Sequence, residues 1–149
     1  MSSASKAFKE MNRAERGIFI GTLIWILLQL SRFIAVVLIN DINDGLASEA
    51  WRYPAYLDLF AAVLAFPLIW AVWARRELLT WAALVIYWTI SIVDHIGNFV
   101  TTTFVGPPTI AEGMENPYLV PAIQTALDVV FLAVLFIPLG RDLFFQPQN

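Results

Sequence analysis

Arg32, Asp94, His95 and Asp128 are the residues of this chain best equipped to hold or move charge, and all four fall inside strongly apolar stretches. An ionisable group in hydrocarbon is costly, and it ordinarily marks a functional site with a partner close by. Tyr87, Ser91, Asp94, Asn98 and Thr101 follow one another at steps of four, three, four and three, which puts them on one side of a helix. His95 stands beside that stripe, within a helical turn of Ser91 and Asn98, and Trp88 is one turn before Ser91. Gln124 and Asp128 are i,i+4 neighbours, and Gln29 and Arg32 are i,i+3 neighbours. Asp58 precedes Ala61, Ala62 and Ala65, a small-residue edge that lets helices approach closely.

Charge balance indicates the chemistry. An arginine stays protonated, and two aspartates bring up to two negative charges against Arg32. Either His95 carries a proton or one aspartate is neutral. Coupled groups of this kind suit proton exchange and general acid–base work. Asp94, His95 and Asp128 are therefore the catalytic candidates. Arg32, Gln29, Asn98, Gln124, Asp58, Ser91, Tyr87 and Trp88 are the ligand-binding candidates. The cluster requires Arg32 and the aspartates Asp94 and Asp128 to lie within salt-bridge reach of one another. Plainer roles compete: Arg32 is long enough to snorkel to an interface, Asp58 reads equally as a helix-start residue, and Asn98 and Gln124 as interhelical glue. Asp128 is short and deep, which makes it the hardest to explain structurally.

The elements that carry these residues are four apolar blocks, 17–39, 56–73, 78–101 and 118–139, in a chain of 149 residues that is 59% apolar and 14% charged. Each block has about the 17–25 residues that cross a bilayer, and soluble domains carry nearer a quarter charged residues. The expected fold is an all-α integral membrane protein, a four-transmembrane-helix antiparallel bundle forming a single domain over 1–149. The first block is longer than a signal-peptide core and contains Gln29 and Arg32, so it is read as an uncleaved span. The absence of cysteine excludes disulfides, thiol catalysis and thiolate metal sites.

Lys6, Lys9, Arg13 and Arg16 precede the first block, Arg75 and Arg76 fall between the second and third, and Arg141 follows the fourth. The loops 40–54 and 102–117 contain Arg52 as their one basic residue. Positive residues gather on the cytoplasmic side, so both termini are expected there, with the inner (plasma) membrane of a bacterium as the setting. The short connection 74–77 demands neighbouring antiparallel helices. In the first long loop, 46–51 is expected to form a helical turn or two at the membrane surface; the two long loops read as a lid or as plain connectors. Asp41 to Gly45 fails as a calcium loop, because glycine stands fifth rather than sixth and the twelfth residue is Arg52. Phe8 and Met11 among basic residues suggest a short amphipathic segment or a frayed topology signal. Trp25, Trp70, Trp73 and Trp81 read as belt or core aromatics.

At 1.5 Å per residue, Arg32 and Asp94 lie roughly 10 Å below the outer ends of their spans, and Asp128 about 15 Å down. The inner halves of the last three blocks have no comparable group. This places a polar pocket in the outer half of the bundle above an apolar floor. The expected function is binding of a small apolar or lipid-like molecule, with acid–base chemistry on it as an extension; whether the protein is an enzyme stays open. The alternatives are an accessory subunit of a larger membrane complex and a dimeric proton-coupled transporter. Membrane lipids, such a ligand, and a second copy or larger complex are the expected partners. Nucleic acid is not, and neither a cofactor nor a metal is indicated. No motif ties the chain to a known family.

Overall fold

The computed structural model describes residues 8–144. It is all-helical, with no strand among the described residues. Three helices are long and apolar enough to cross a membrane: α1 (Arg13–Asn43), α2 (Arg52–Ala74) and α3 (Leu78–Val105). The final apolar block forms a bent pair, α4 (Leu119–Val134) and α5 (Pro138–Phe144), which together meet the same criterion of length and composition. α2 packs against α1 and α3, and α3 against α4. Two ends of the bundle follow: one carries the long loops 44–51 and 106–118, the other the start of α1, the α2–α3 turn and α5.

α1 begins with a capping box, in which the Asn12 side chain accepts from the Glu15 N–H at 2.9 Å and the Glu15 carboxylate accepts from the Asn12 N–H at 2.7 Å. These bonds satisfy two donors that every helix start leaves open. Of the basic N-terminal segment, Lys6 lies outside the described residues. Phe8 and Met11 pack into the bundle core against Phe19 rather than along a surface.

The middle of α1, Gln29–Ile34, tightens into a 3-10 helix. Ser31 returns its hydroxyl to the Leu28 carbonyl at 2.8 Å, a local bond that competes with the regular ladder. In a 3-10 turn residues three apart eclipse one another, so Gln29 and Arg32 both point inward and are buried. Facing them, α2 buries Ala61, Ala62 and Ala65, and the missing side-chain volume brings the helices close. Tyr87 of α3 donates its hydroxyl to the Ala61 carbonyl at 3.0 Å, fastening α3 to the same stretch of α2.

The expected continuous helix over 118–139 is corrected at its end. α4 stops at Val134, and α5 leaves at an angle of 81°. Pro138 disfavours helical backbone at Ile137 and suits the first turn of the next helix. Sixteen residues of α4 reach only about 24 Å, short of a hydrocarbon core of ~30 Å. α5 turns back beneath the bundle, where Leu143 and Phe144 are buried with Met11 and Phe19. A Cβ at Gly140 would collide with the Val134 carbonyl, so this return needs glycine.

At the other end, Ala35, Leu38, Ile42, Trp51 and Ala55 form a second small core with Ile110 against it. The Trp51 indole donates to the Gly106 carbonyl at 3.2 Å, and the Thr109 hydroxyl to Asp41 at 2.5 Å, so the two long loops are tied to each other and to α1. The helical turns expected over 46–51 reduce to a single 3-10 turn, Glu49–Trp51.

Ala65→Leu is expected to destabilise the protein by about 1–3 kcal/mol through overpacking of the α1–α2 contact, whereas Val63→Leu, on the exposed face, is expected to be silent. Thermal unfolding of both variants in detergent checks this.

Candidate functional site

Arg32 is the centre of the buried polar cluster, with 4% of its surface exposed. One terminal nitrogen, Nη1, lies 3.2 Å from Asp94 Oδ2 and 3.4 Å from Asp58 Oδ1. The other, Nη2, donates to Ser91 Oγ at 2.5 Å and stands 2.5 Å from His95 Nε2. Both terminal nitrogens are thus engaged, Nη1 by the two carboxylates and Nη2 by Ser91 and His95. The guanidinium draws α1, α2 and α3 to one point.

The network continues inward from His95. Its Nε2 lies 3.4 Å from Asp128 Oδ2, and Asp128 Oδ1 accepts a hydrogen bond from the Trp25 indole at 2.7 Å. Asp128 is fully buried on α4, while Trp25 stacks on Phe131 one turn further along α4. Asp128 thus does not meet Arg32 directly, contrary to the sequence expectation. The reason is lateral: α4 packs behind α3, and the His95 ring fills the space between. Trp25 is a member of this site that sequence reasoning assigned to belt or core. The available signal was its spacing, four residues before Gln29 and seven before Arg32, on the same face of α1.

His95 Nε2 faces two demands that exclude each other. A guanidinium only donates, so its approach requires a lone pair on Nε2 and places the ring proton on Nδ1. A bond to an ionised Asp128 would instead need the proton on Nε2. The two arrangements differ by a tautomer of the ring or by one proton on Asp128. Charge counting agrees, since Asp58, Asp94 and Asp128 face one permanent cation. Charge left unbalanced in a dry interior is strongly disfavoured, so protons or a bound cation must complete the set.

Most buried side-chain atoms without a partner cluster in this region: both amide atoms of Gln29, Arg32 Nε, Trp88 Nε1, Asp94 Oδ1, His95 Nδ1, Asn98 Oδ1 and Asp128 Oδ2, with Arg76 Nη1 at the α2–α3 turn as the exception among the described residues. Buried polar atoms are nearly always paired in folded proteins, so their concentration here marks a place built for something other than maximal stability. Among the described residues, no group of three or more His, Cys, Asp or Glu is arranged to hold a metal ion.

A cavity of about 300 Å³ opens above the network at the long-loop end. Arg32, Asp58, Asn98 and Gln124 line it, and its walls are otherwise mostly apolar, supplied by Leu38, Trp51, Ile110, Met114 and Val120 among others. Of the ligand-binding candidates, these first four reach the cavity. Ser91 is buried behind Arg32, and Gln29 and Trp88 lie in the interior, with Trp88 packed between Tyr87 and Phe131. Tyr87 borders a different, apolar groove between α2 and α3. The catalytic candidates Asp94, His95 and Asp128 do not line the cavity; Arg32 stands between them and it.

Comparison with protein-family models, with curated proteins and with solved structures finds no match for this chain.

Removing one partner of a buried ion pair strands the other. Arg32→Gln is accordingly expected to cost about 3–5 kcal/mol, and Arg32→Gln combined with Asp94→Asn less than the sum of the single changes. Chemical denaturation of the three variants in detergent checks the coupling; strictly additive losses would show that the two residues act independently. Trp25→Phe is expected to cost about 1–3 kcal/mol by leaving Asp128 Oδ1 without its donor, measured in the same way.

Proposed function

We propose that this protein spans the membrane four times, with both termini cytoplasmic, and binds a small apolar or lipid-like molecule in a pocket open toward the outer face. The observation that carries this reading is the junction of two features. A largely apolar cavity ends on Arg32, Asp58, Asn98 and Gln124, and directly behind Arg32 lies a buried set of carboxyl and imidazole groups. Sites for small molecules combine these properties: apolar walls, with a few polar groups that fix orientation.

The orientation rests on the distribution of basic residues, which gather at the end carrying the α1 start, the α2–α3 turn and α5. The fourth crossing is the bent pair α4–α5. Its turn and the inward-packed α5 suit a position at the cytoplasmic interface.

Asp58 is the titratable group closest to a bound molecule, and it shares Arg32 Nη1 with Asp94. Proton exchange with the ligand's polar end would run through Asp58, with Asp94, His95 and Asp128 as the groups behind it that hold or release the proton. The cluster then serves acid–base chemistry on the bound molecule, or senses its charge. The convergence of the charged side chains on one interior point supports this reading over an accessory subunit, whose charges would face outward to a partner. The apolar interior beneath the network supports it over a transport pathway, which needs polar groups toward both faces.

Three measurements test the proposal. Infrared spectra are expected to show a protonated-carboxyl band that is lost or shifted in Asp94→Asn or Asp128→Asn; a spectrum without such a band, unaltered in both variants, removes the proton-exchanging role. Native mass spectrometry of the protein extracted from membranes is expected to retain a small-molecule adduct that Asp58→Asn and Arg32→Gln weaken; an adduct indifferent to both would place the ligand elsewhere. Because the chain has no cysteine, Glu115→Cys and Glu10→Cys can be labelled singly in intact cells. An impermeant maleimide is expected to reach the first and not the second, and the reverse pattern would invert the topology.

A further inference from the structure

The charged groups that line the cavity are the Asp58 carboxylate and the Arg32 guanidinium. Arg32 looks at first like an anchor for an anionic head group, yet its terminal nitrogens are already engaged by Asp94, Ser91 and His95, and Nη1 lies 3.4 Å from the Asp58 carboxylate. The fifth donor, Nε, is unpartnered but buried among side chains. An anion brought to Arg32 would also stand against Asp58, whose side chain keeps 25% of its surface exposed at the cavity. Like charges at short range are strongly disfavoured where water is scarce.

Charge points the same way at two depths. At and below the cavity floor, Asp58, Asp94 and Asp128 outnumber Arg32. Around the mouth, the loops carry Asp41, Asp44, Glu49, Glu112 and Glu115 against Arg52 alone, and Arg52 is already bound to Glu49 at 2.6 Å. A cation is therefore favoured on approach and at the site itself.

Resting on the pocket reading above, we infer that the ligand is an amphiphile with a cationic amine head, held by Asp58, with its apolar part against Leu38, Trp51 and Ile110. Such a head completes the charge balance of the network without a proton from solvent. A neutral hydroxyl satisfies the acceptors but not the charge, and a carboxylate satisfies neither.

The test uses the full chain in nanodiscs of zwitterionic lipid, with empty nanodiscs as the blank, and isothermal titration of octylamine, octanol and octanoic acid at neutral pH. Octylamine is expected to bind about tenfold or more tightly than octanol, the margin of a charge-assisted over a neutral hydrogen bond, and octanoate weakest of the three. Asp58→Asn is expected to erase the advantage of the amine over octanol. Equal affinities for the three probes, tighter binding of octanoate, or an amine preference that survives Asp58→Asn would overturn the inference and leave the pocket reading standing. Saturable binding of none of them would overturn the pocket reading and this inference together. Should Asp58→Asn fail to insert, the order of the three head groups on the unaltered protein decides alone.

Discussion

The buried guanidinium of Arg32 is the constraint around which the bundle is organised. A permanent cation taken out of water must recover its lost hydration from the protein, and a single carboxylate does not supply enough. Here it recovers it from four side chains on two helices: Asp58 of α2, and Ser91, Asp94 and His95 of α3. That demand fixes how close α1, α2 and α3 come and in what register. The 3-10 stretch of α1 and the alanine face of α2 follow from it as geometry. One turns the side chain inward, and the other removes the bulk that would keep its partners away.

Stability and chemistry pull apart in this arrangement. A core optimised for stability alone would pair every polar atom or use none, and the rest of the interior is built mostly from apolar residues such as Ile26, Leu84, Val72 and Phe144. The network leaves Asp94, His95 and Asp128 each with an unpartnered atom. It confronts one imidazole nitrogen with a donor on one side and a carboxylate on the other. The cavity lies above this network, and the tied loops at its mouth hold its walls in place.

Much of the fold was legible because the relevant signals are local. Hydrophobic block length located the helices long and apolar enough to cross a membrane, helical spacing put Ser91, Asp94 and Asn98 on one face, and the alanines of α2 announced a close contact. Pro138 was equally visible, yet the bend it causes was not anticipated, because block hydropathy does not register direction. The site was legible in membership but only partly in connection. Arg32, Asp94 and Asp58 meet, whereas Asp128 is reached through His95, and Trp25 enters as the donor that holds it. Tryptophan is so common in membrane belts and cores that its spacing from Arg32 carried too little contrast to single it out.

Composition and spacing by themselves determined that the chain is helical, that its helices are apolar enough for a membrane, and which face of each carries the polar groups. These properties depend on residues a few positions apart, whose relative placement a helix dictates. Which carboxylate takes the arginine, which is left to the histidine, and which polar groups open to a cavity were decided by the tertiary structure alone. Those choices depend on the lateral order and rotation of the helices. They are set by how alanine, tryptophan and phenylalanine surfaces fit together across the bundle, and that fit has no period along the chain.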